Sequence, residues 1–208
     1  MSNRLTPLQR IPRHVALPDL LPADEHAALL DWALTNEAIL IPSHTARGHD
    51  PTVRQSLSTP PGIMPQWKVA MVERVRALLP ELCDALGMPR FELLKIDSQL
   101  VAYRDGGFVA AHTDTATGAT RQAGDRVLSA VYHFFREPRG FTGGELRLIP
   151  PVAPPPDAPQ ILDLTPRQNT LVAFTAWAPH EVLPVRCLSG KFEDSRFAIN
   201  FWVRRAAS

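Results

Sequence analysis

Residues 103–114 read YRDGGFVAAHTD. On an extended segment, residues i and i+2 point to the same face, so the His112 imidazole and the Asp114 carboxylate converge on one ion. A third ligand must come from elsewhere, and His180 stands at the end of a strand-like run, LVAFTAWAPH. Two histidines and one carboxylate take one face of an octahedron and leave three positions open. That suits non-haem iron(II), which must bind a bidentate cosubstrate and dioxygen together. By itself a His-x-Asp tripeptide recurs by chance. His180 also reads as a strand-end histidine bonded to backbone, and Asp114 as a turn or cap residue ahead of Thr115.

Outward from this segment, the chain after Pro89 is strand-like. Leu93–Tyr103, Val127–Phe135, Glu145–Ile149, Ile161–Leu164, Leu171–Thr175 and Arg196–Val203 are short, β-branched or aromatic, and bounded by turn residues. The stretch IPPVAPPPDAPQ, residues 149–160, cannot lie inside a sheet because proline offers no ladder donor, so it should be an exposed connector.

Before Pro89 the periodicity is helical. His26, Leu29, Leu30 and Ala33 form one face of a helix expected from Pro22 to Ala38, with Asp24 and Glu25 in its first turn. Met71, Val75, Leu78, Leu79, Leu82 and Leu86 mark a second helix, which Pro80 should kink or break and Gly87 should end. Residues 40–62 are rich in Ser, Thr, Pro and Gly and read as a long irregular segment. Its His44, Arg47, His49 and Arg54 suit a substrate-facing lid; the alternative is a solvated connector. Two helices followed by six or more strands predict an α+β, mainly β fold, with the N-terminal helices packed on one sheet of a barrel or jelly roll. The expected organisation is a single domain over 1–208, with a helical region and loop at 1–90 and the β core at 91–205.

Composition excludes several classes. The 208 residues hold 22 Lys+Arg against 21 Asp+Glu, so no long-range positive field would draw in nucleic acid. Arg204 and Arg205 could form a local basic patch or a solvated tail. No signal-peptide core and no membrane-spanning apolar stretch occur in the sequence. The two cysteines, Cys83 and Cys187, form no metal or disulfide pattern, which fits a reducing cytoplasm. The oligomeric state is not encoded legibly.

Several motifs in order carry a family resemblance. The run from Tyr103 to Asp114, then Arg126-Val-Leu-Ser-Ala-Val-Tyr-His-Phe, Phe141-Thr-Gly-Gly-Glu-Leu-Arg-Leu, Asn169-Thr-Leu-Val-Ala-Phe, His180-Glu-Val-Leu-Pro-Val and Ser195-Arg-Phe-Ala-Ile-Asn-Phe-Trp-Val resembles the prolyl-4-hydroxylase-like branch of the Fe(II)/2-oxoglutarate-dependent dioxygenase superfamily. The resemblance spans residues 95–204. It implies a double-stranded β-helix (a cupin-like jelly roll) with iron near its mouth, held by His112, Asp114 and His180. It implies Fe(II), 2-oxoglutarate and O2 as cofactor and cosubstrates, with ascorbate as an optional reductant. The expected reaction is hydroxylation of a C–H bond, of a prolyl or other amino-acid residue, releasing succinate and CO2. Retention of Asp114 argues against the halogenase variant, where the carboxylate gives way to a halide.

The distal carboxylate of 2-oxoglutarate needs a fixed cation, and a bidentate Arg suits it best. Strand alternation puts Arg196, Ala198, Asn200 and Trp202 on one face, so Arg196 reads as pointing into the barrel. The family usually places this basic residue closer behind the distal histidine than the sixteen positions found here. Lys191, in the lengthened turn CLSGKFEDS, is therefore a competing anchor. Tyr103 matches a tyrosine bordering iron and cosubstrate, and His133 stands where relatives carry a tyrosine that reaches the 2-oxoglutarate carboxylate. Each also reads as an ordinary core residue, as does Trp202, a candidate site wall. Gly143 and Gly144 serve a tight turn, and Glu145 has no catalytic step.

Three other readings remain. A nucleic-acid demethylase of the same superfamily is hinted at by Arg196, Asn200 and Arg204. A non-catalytic metal-binding jelly-roll sensor module would keep the metal without turnover. A zinc hydrolase would also need a general base, and no HExxH helix supplies one. The favoured partner is a peptide, amino-acid or small-molecule substrate, with neither nucleic acid nor membrane.

Overall fold

A computed structural model of the protein describes residues 12–44, 48, 50–63, 65–115, 124–151 and 161–206. Arg47 and His49 of the expected lid, and 152–160 of the proline-rich connector, lie outside the described residues. In chain order the strands are β1 (His14–Leu17), β2 (Ile41–Pro42), β3 (Arg54–Gln55), β4 (Leu57–Ser58), β5 (Leu93–Tyr103), β6 (Phe108–His112) and β7 (Asp125–Phe134). They continue with β8 (Thr142–Gly143), β9 (Leu146–Leu148), β10 (Leu162–Leu164), β11 (Thr170–Thr175), β12 (His180–Val182), β13 (Val185–Arg186) and β14 (Arg196–Arg205). The helices are α1 (Ala23–Thr35) and α2 (Gln66–Leu86).

All strand pairs are antiparallel. The large sheet runs β1-β11-β7-β14-β5-β4-β2, the smaller one β10-β9-β12-β6-β3, and β13 pairs with β8 apart from both. Period-two alternation sorts the large sheet cleanly. Leu100 and Ala102 of β5, Leu128 to Phe134 at alternate positions of β7, and Phe197, Ile199, Phe201 and Val203 of β14 share one core with the helices. Each fully buried Phe there contributes on the order of 2 kcal/mol, which makes β14 the spine of the sheet. The opposite face meets the small sheet. Val101 and Tyr103 cluster with Val109 and Val182, and Val172 and Phe174 with Leu146 and Leu148. The result is the helix-backed double-stranded β-helix expected, with its interior between the two sheets.

The helices depart from expectation in detail. α1 ends at Thr35, where the Asn36 N–H caps Trp32 O, and a 3-10 turn covers 37–39. α2 is not broken at Pro80. Proline at this position removes the bond to the Arg76 carbonyl, and both residues are on the exposed face, where water can take that carbonyl. Gly87 closes α2 in the left-handed region at φ 63°, with the Met88 N–H reaching back to Cys83 O.

Residues 40–62 hold the larger correction. Arg54 and Gln55 pair with β6, and Leu57 and Ser58, one residue further on, pair with β5. This short crossing joins an edge of each sheet, so Arg54–Ser58 belong to the barrel rather than to a lid or a solvated connector. Alternation was too brief here to register as strand. β1 was missed for the same reason, and it pairs with β11 at the other edge.

Asn169 fixes the N-terminal segment to this scaffold. Its side chain accepts from Leu21 N–H and donates to Leu21 O, and its Oδ1 also accepts from the Tyr132 hydroxyl at 2.8 Å. Because that hydroxyl donates to Asn169, it accepts from His26 Nδ1 at 2.7 Å. Among the described residues, no helix is long and apolar enough to cross a membrane. Both cysteines are buried and free.

Candidate metal centre

β6 ends on His112, and β12 begins on His180. The two stand directly opposite each other in register, which brings their ring centroids to 4.3 Å. Asp114 lies just past β6. Its N–H and that of Thr115 both donate to Ala176 O, in the turn that leads into β12. Asp114 Oδ1 is 3.8 Å from His112 Nε2, and Oδ2 is 3.6 Å from His180 Nε2. One donor atom from each residue falls within 4.8 Å of the others, a spread that a single metal ion can bridge.

The surrounding bonds orient these groups. His112 Nδ1 bonds Ala110 O and His180 Nδ1 bonds Ala178 O, each at 2.9 Å. A backbone carbonyl can only accept, so both rings carry hydrogen on Nδ1 and leave the Nε2 lone pairs for a cation. His180 rests edge-on against Phe174. Ser129 donates to Asp114 Oδ2 at 2.6 Å, and Arg126 Nη1 lies 3.9 Å from Oδ1. Burial works to raise the Asp114 carboxyl, but His180, His112, the Ser129 bond and Arg126 together hold it below the usual carboxylate range. Burial also pushes His180 below the ordinary imidazole value, with Asp114 working against it, and so favours the neutral ring that a metal requires.

A second cluster lies deeper in the barrel. Arg196 is 1% exposed, its Nη2 is 3.4 Å from His133 Nδ1, and its guanidinium stacks 4.7 Å from the Tyr103 ring. Among the described residues, its Nε and Nη1, and the other nitrogen of His133, have no hydrogen-bond partner. Buried donors of this kind are costly unless an acceptor meets them. A carboxylate is the acceptor that a planar guanidinium fork fits best. Gly144 makes room for the fork, since a Cβ there would stand 2.6 Å from Arg196 Cδ.

The predicted residues thus fall into two groups inside the barrel and one outside. His112, Asp114 and His180 come together; Arg196, His133 and Tyr103 come together. Lys191 does not join them. Its side chain is 64% exposed and lies 3.9 Å from Glu193 on the outer turn. The longer spacing after His180 is absorbed by a 3-10 turn at Phe192–Asp194, which lets β14 start on Arg196. Trp202 faces the interior opposite Ser129, with the Arg126 guanidinium 4.6 Å above its ring.

Sequence reasoning missed Ser129 and Arg126, and read Gly144 as a turn residue without its place beside Arg196. Ser129 was detectable as the polar break in the otherwise apolar run VLSAV, residues 127–131. Arg126 was not. Simple alternation puts residues 126 and 129 on opposite faces, but a bulge at Val127, opposite Val203–Arg204, turns both inward.

Comparisons with known proteins agree with this geometry. The chain is 31% identical over 192 residues to an uncharacterized PKHD-type hydroxylase of Synechocystis sp., covering 91% of this chain and 62% of that relative's length. Its fold resembles a Pseudomonas putida prolyl-4-hydroxylase, with a TM-score of 0.67 at 23% identity over 93% of this chain and 94% of that one. It also resembles a Trichoplax adhaerens prolyl hydroxylase solved with a hypoxia-inducible-factor peptide, with a TM-score of 0.66 at 16% identity over 93% of this chain and 84% of that one. Residues 98–204 match the family model of the 2OG-Fe(II) oxygenase superfamily. With half its length matched and a donor set suited to Fe(II), 2-oxoglutarate and O2, the chain belongs to the 2OG-Fe(II) oxygenase superfamily.

Proposed function

We propose that the protein is an Fe(II)- and 2-oxoglutarate-dependent dioxygenase that hydroxylates a C–H bond of a prolyl or other amino-acid residue. His112, Asp114 and His180 hold the metal, and Arg196 with His133 and Tyr103 holds the cosubstrate. The observation that carries this is the pairing of two sites in one barrel: a His-Asp-His cluster near the mouth and a sealed arginine with unmatched donors below it.

Bound iron supplies dioxygen activation coupled to conversion of 2-oxoglutarate to succinate and CO2. The chain's own residues do the positioning. Arg196 grips the distal carboxylate and thereby aims the keto-acid end at the histidines. His133, neutral because burial and the charges of Arg196 and Arg139 push it well down, adds a donor without adding charge. Val101 packs with Tyr103, and Val131, Leu148 and Phe174 pack together, giving the barrel interior an apolar surface that would exclude water. The PKHD-type relative and the two prolyl hydroxylase folds favour an amino-acid residue as target. We place the reaction in the cytoplasm, in keeping with two free thiols.

The demethylase reading loses its hint, because Arg204 is engaged by Asp97 at 2.6 Å and by Gly124 O. A mass-spectrometric screen of peptides and amino acids with iron and 2-oxoglutarate tests the proposal. Gain of one oxygen, lost in His112→Ala, is expected. A metal-binding protein with no oxygen transfer and no succinate across the panel would instead be a sensor module.

A further inference from the structure

Two inward-facing residues of β7, Ser129 and Arg126, address the two oxygens of Asp114 separately. The Ser129 hydroxyl donates to Oδ2 at 2.6 Å, while Arg126 Nη1 stands 3.9 Å from Oδ1. Ser129 is 2% exposed, so no water competes for its proton. Its direction is fixed by register, because Trp202 stands directly opposite it and Arg126 stacks on that indole. The two histidines come from the small sheet and Ser129 from the large one. The hydroxyl therefore ties Asp114, which follows β6, across the barrel.

We propose that Ser129 is a positioning residue that makes Asp114 a one-oxygen metal ligand. Resting on the iron-site reading above, this assigns Oδ2 to the hydroxyl and leaves Oδ1 for the cation. The distinction matters for the reaction class. A carboxylate that chelates through both oxygens takes up a fourth position, whereas two imidazoles and one carboxylate oxygen leave three open. A bidentate cosubstrate and dioxygen need all three. Arg126, 3.9 Å from Oδ1 and so beyond hydrogen-bond reach, then balances the charge of the carboxylate without occupying a coordination position.

Anaerobic titration of the metal-free protein with Co(II), followed by its visible spectrum, tests this apart from turnover. Ser129→Ala should weaken Co(II) binding by roughly 10- to 100-fold, the usual cost of losing such an outer partner. It should also change the shape of the Co(II) spectrum, as expected when the carboxylate rotates and coordination changes. The metal-free Ser129→Ala protein should stay folded, its melting temperature lowered only as far as the loss of one buried hydrogen bond requires, and Ser129→Thr should restore both affinity and spectrum. Wild-type affinity and spectrum in Ser129→Ala would overturn the proposal, as would a folded Ser129→Thr that behaves like Ala. If the wild-type protein itself binds no Co(II), the iron-site reading fails and this inference fails with it.

Discussion

Arg196 Nη2 lies 3.4 Å from His133 Nδ1, and both side chains are 1% exposed. A guanidinium can only donate, so His133 must accept at Nδ1 and carry its hydrogen on Nε2. That leaves His133 Nε2, Arg196 Nε and Arg196 Nη1 as donors with no acceptor among the described residues. Burial pulls the Arg196 pKa down while Tyr103 pulls it back up, and a guanidinium stays charged in either case. A fixed cation with a neutral donor beside it is what a carboxylate-bearing cosubstrate requires.

Replacing the arginine should therefore remove the cosubstrate rather than the metal. Arg196→Leu is expected to weaken 2-oxoglutarate binding roughly 30-fold or more, the usual loss for one partner of a buried charge pair. Co(II) affinity should be retained. Lys191→Ala should change neither, because that side chain points to solvent. Anaerobic calorimetric titration checks both variants, and the opposite ranking would reinstate Lys191.

His133 links stability to pH. Its folded pKa lies well below the ordinary 6.5, chiefly through burial, with Arg196 and Arg139 adding to it. The unfolded chain therefore binds the proton more readily, and stability falls as pH drops below about 6.5. Between that value and the folded pKa the slope per such group is about 1.4 kcal/mol per pH unit. Urea unfolding from pH 7 to 5 should give a shallower slope for His133→Gln than for wild type. Parallel slopes would mean that His133 binds its proton in the folded protein as readily as in the unfolded chain.

Gly144 offers a steric test. Its φ is +71°, and a Cβ would meet Arg196 Cδ at 2.6 Å and Val185 at 2.9 Å. Gly144→Ala should cost about 1–3 kcal/mol of stability from backbone strain and should also displace the guanidinium. Thermal melts and 2-oxoglutarate titration should fall together. Lost stability with unchanged cosubstrate affinity would uncouple this glycine from the arginine.

Asn169 holds a residue 148 positions away in sequence through paired bonds to Leu21 N and O. Asn169→Ala leaves those backbone groups unpaired and the Tyr132 hydroxyl proton without its acceptor, at a cost on the order of 2–3 kcal/mol. The melting temperature should drop while Co(II) affinity is kept. An unchanged melt would show that water replaces the amide.

The His112, Asp114 and His180 cluster was legible in the sequence because two of its members are close along the chain. The i, i+2 spacing pointed to His112 and Asp114, although Asp114 lies past the end of β6 and is set by its bond to Ala176 O, and His180 sits at a recognisable strand end. The inward direction of Arg196 followed from alternation along β14. Less legible were features created by pairing. β3 and β4 are two residues each, too short for any period, and acquire their identity from β6 and β5. The inward turn of Arg126 depends on a bulge that only the register with β14 reveals. Pro80 does not break α2, which propensity does not foresee because it ignores whether the freed carbonyl faces water.

The central claim is that these two clusters make one oxygenase site. Succinate formation from 2-oxoglutarate, followed with and without Fe(II) and in Asp114→Ala, tests it most directly. The account predicts iron-dependent succinate in the wild type and none above background in Asp114→Ala, with the fold intact. Equal succinate without iron, or in Asp114→Ala, would contradict it.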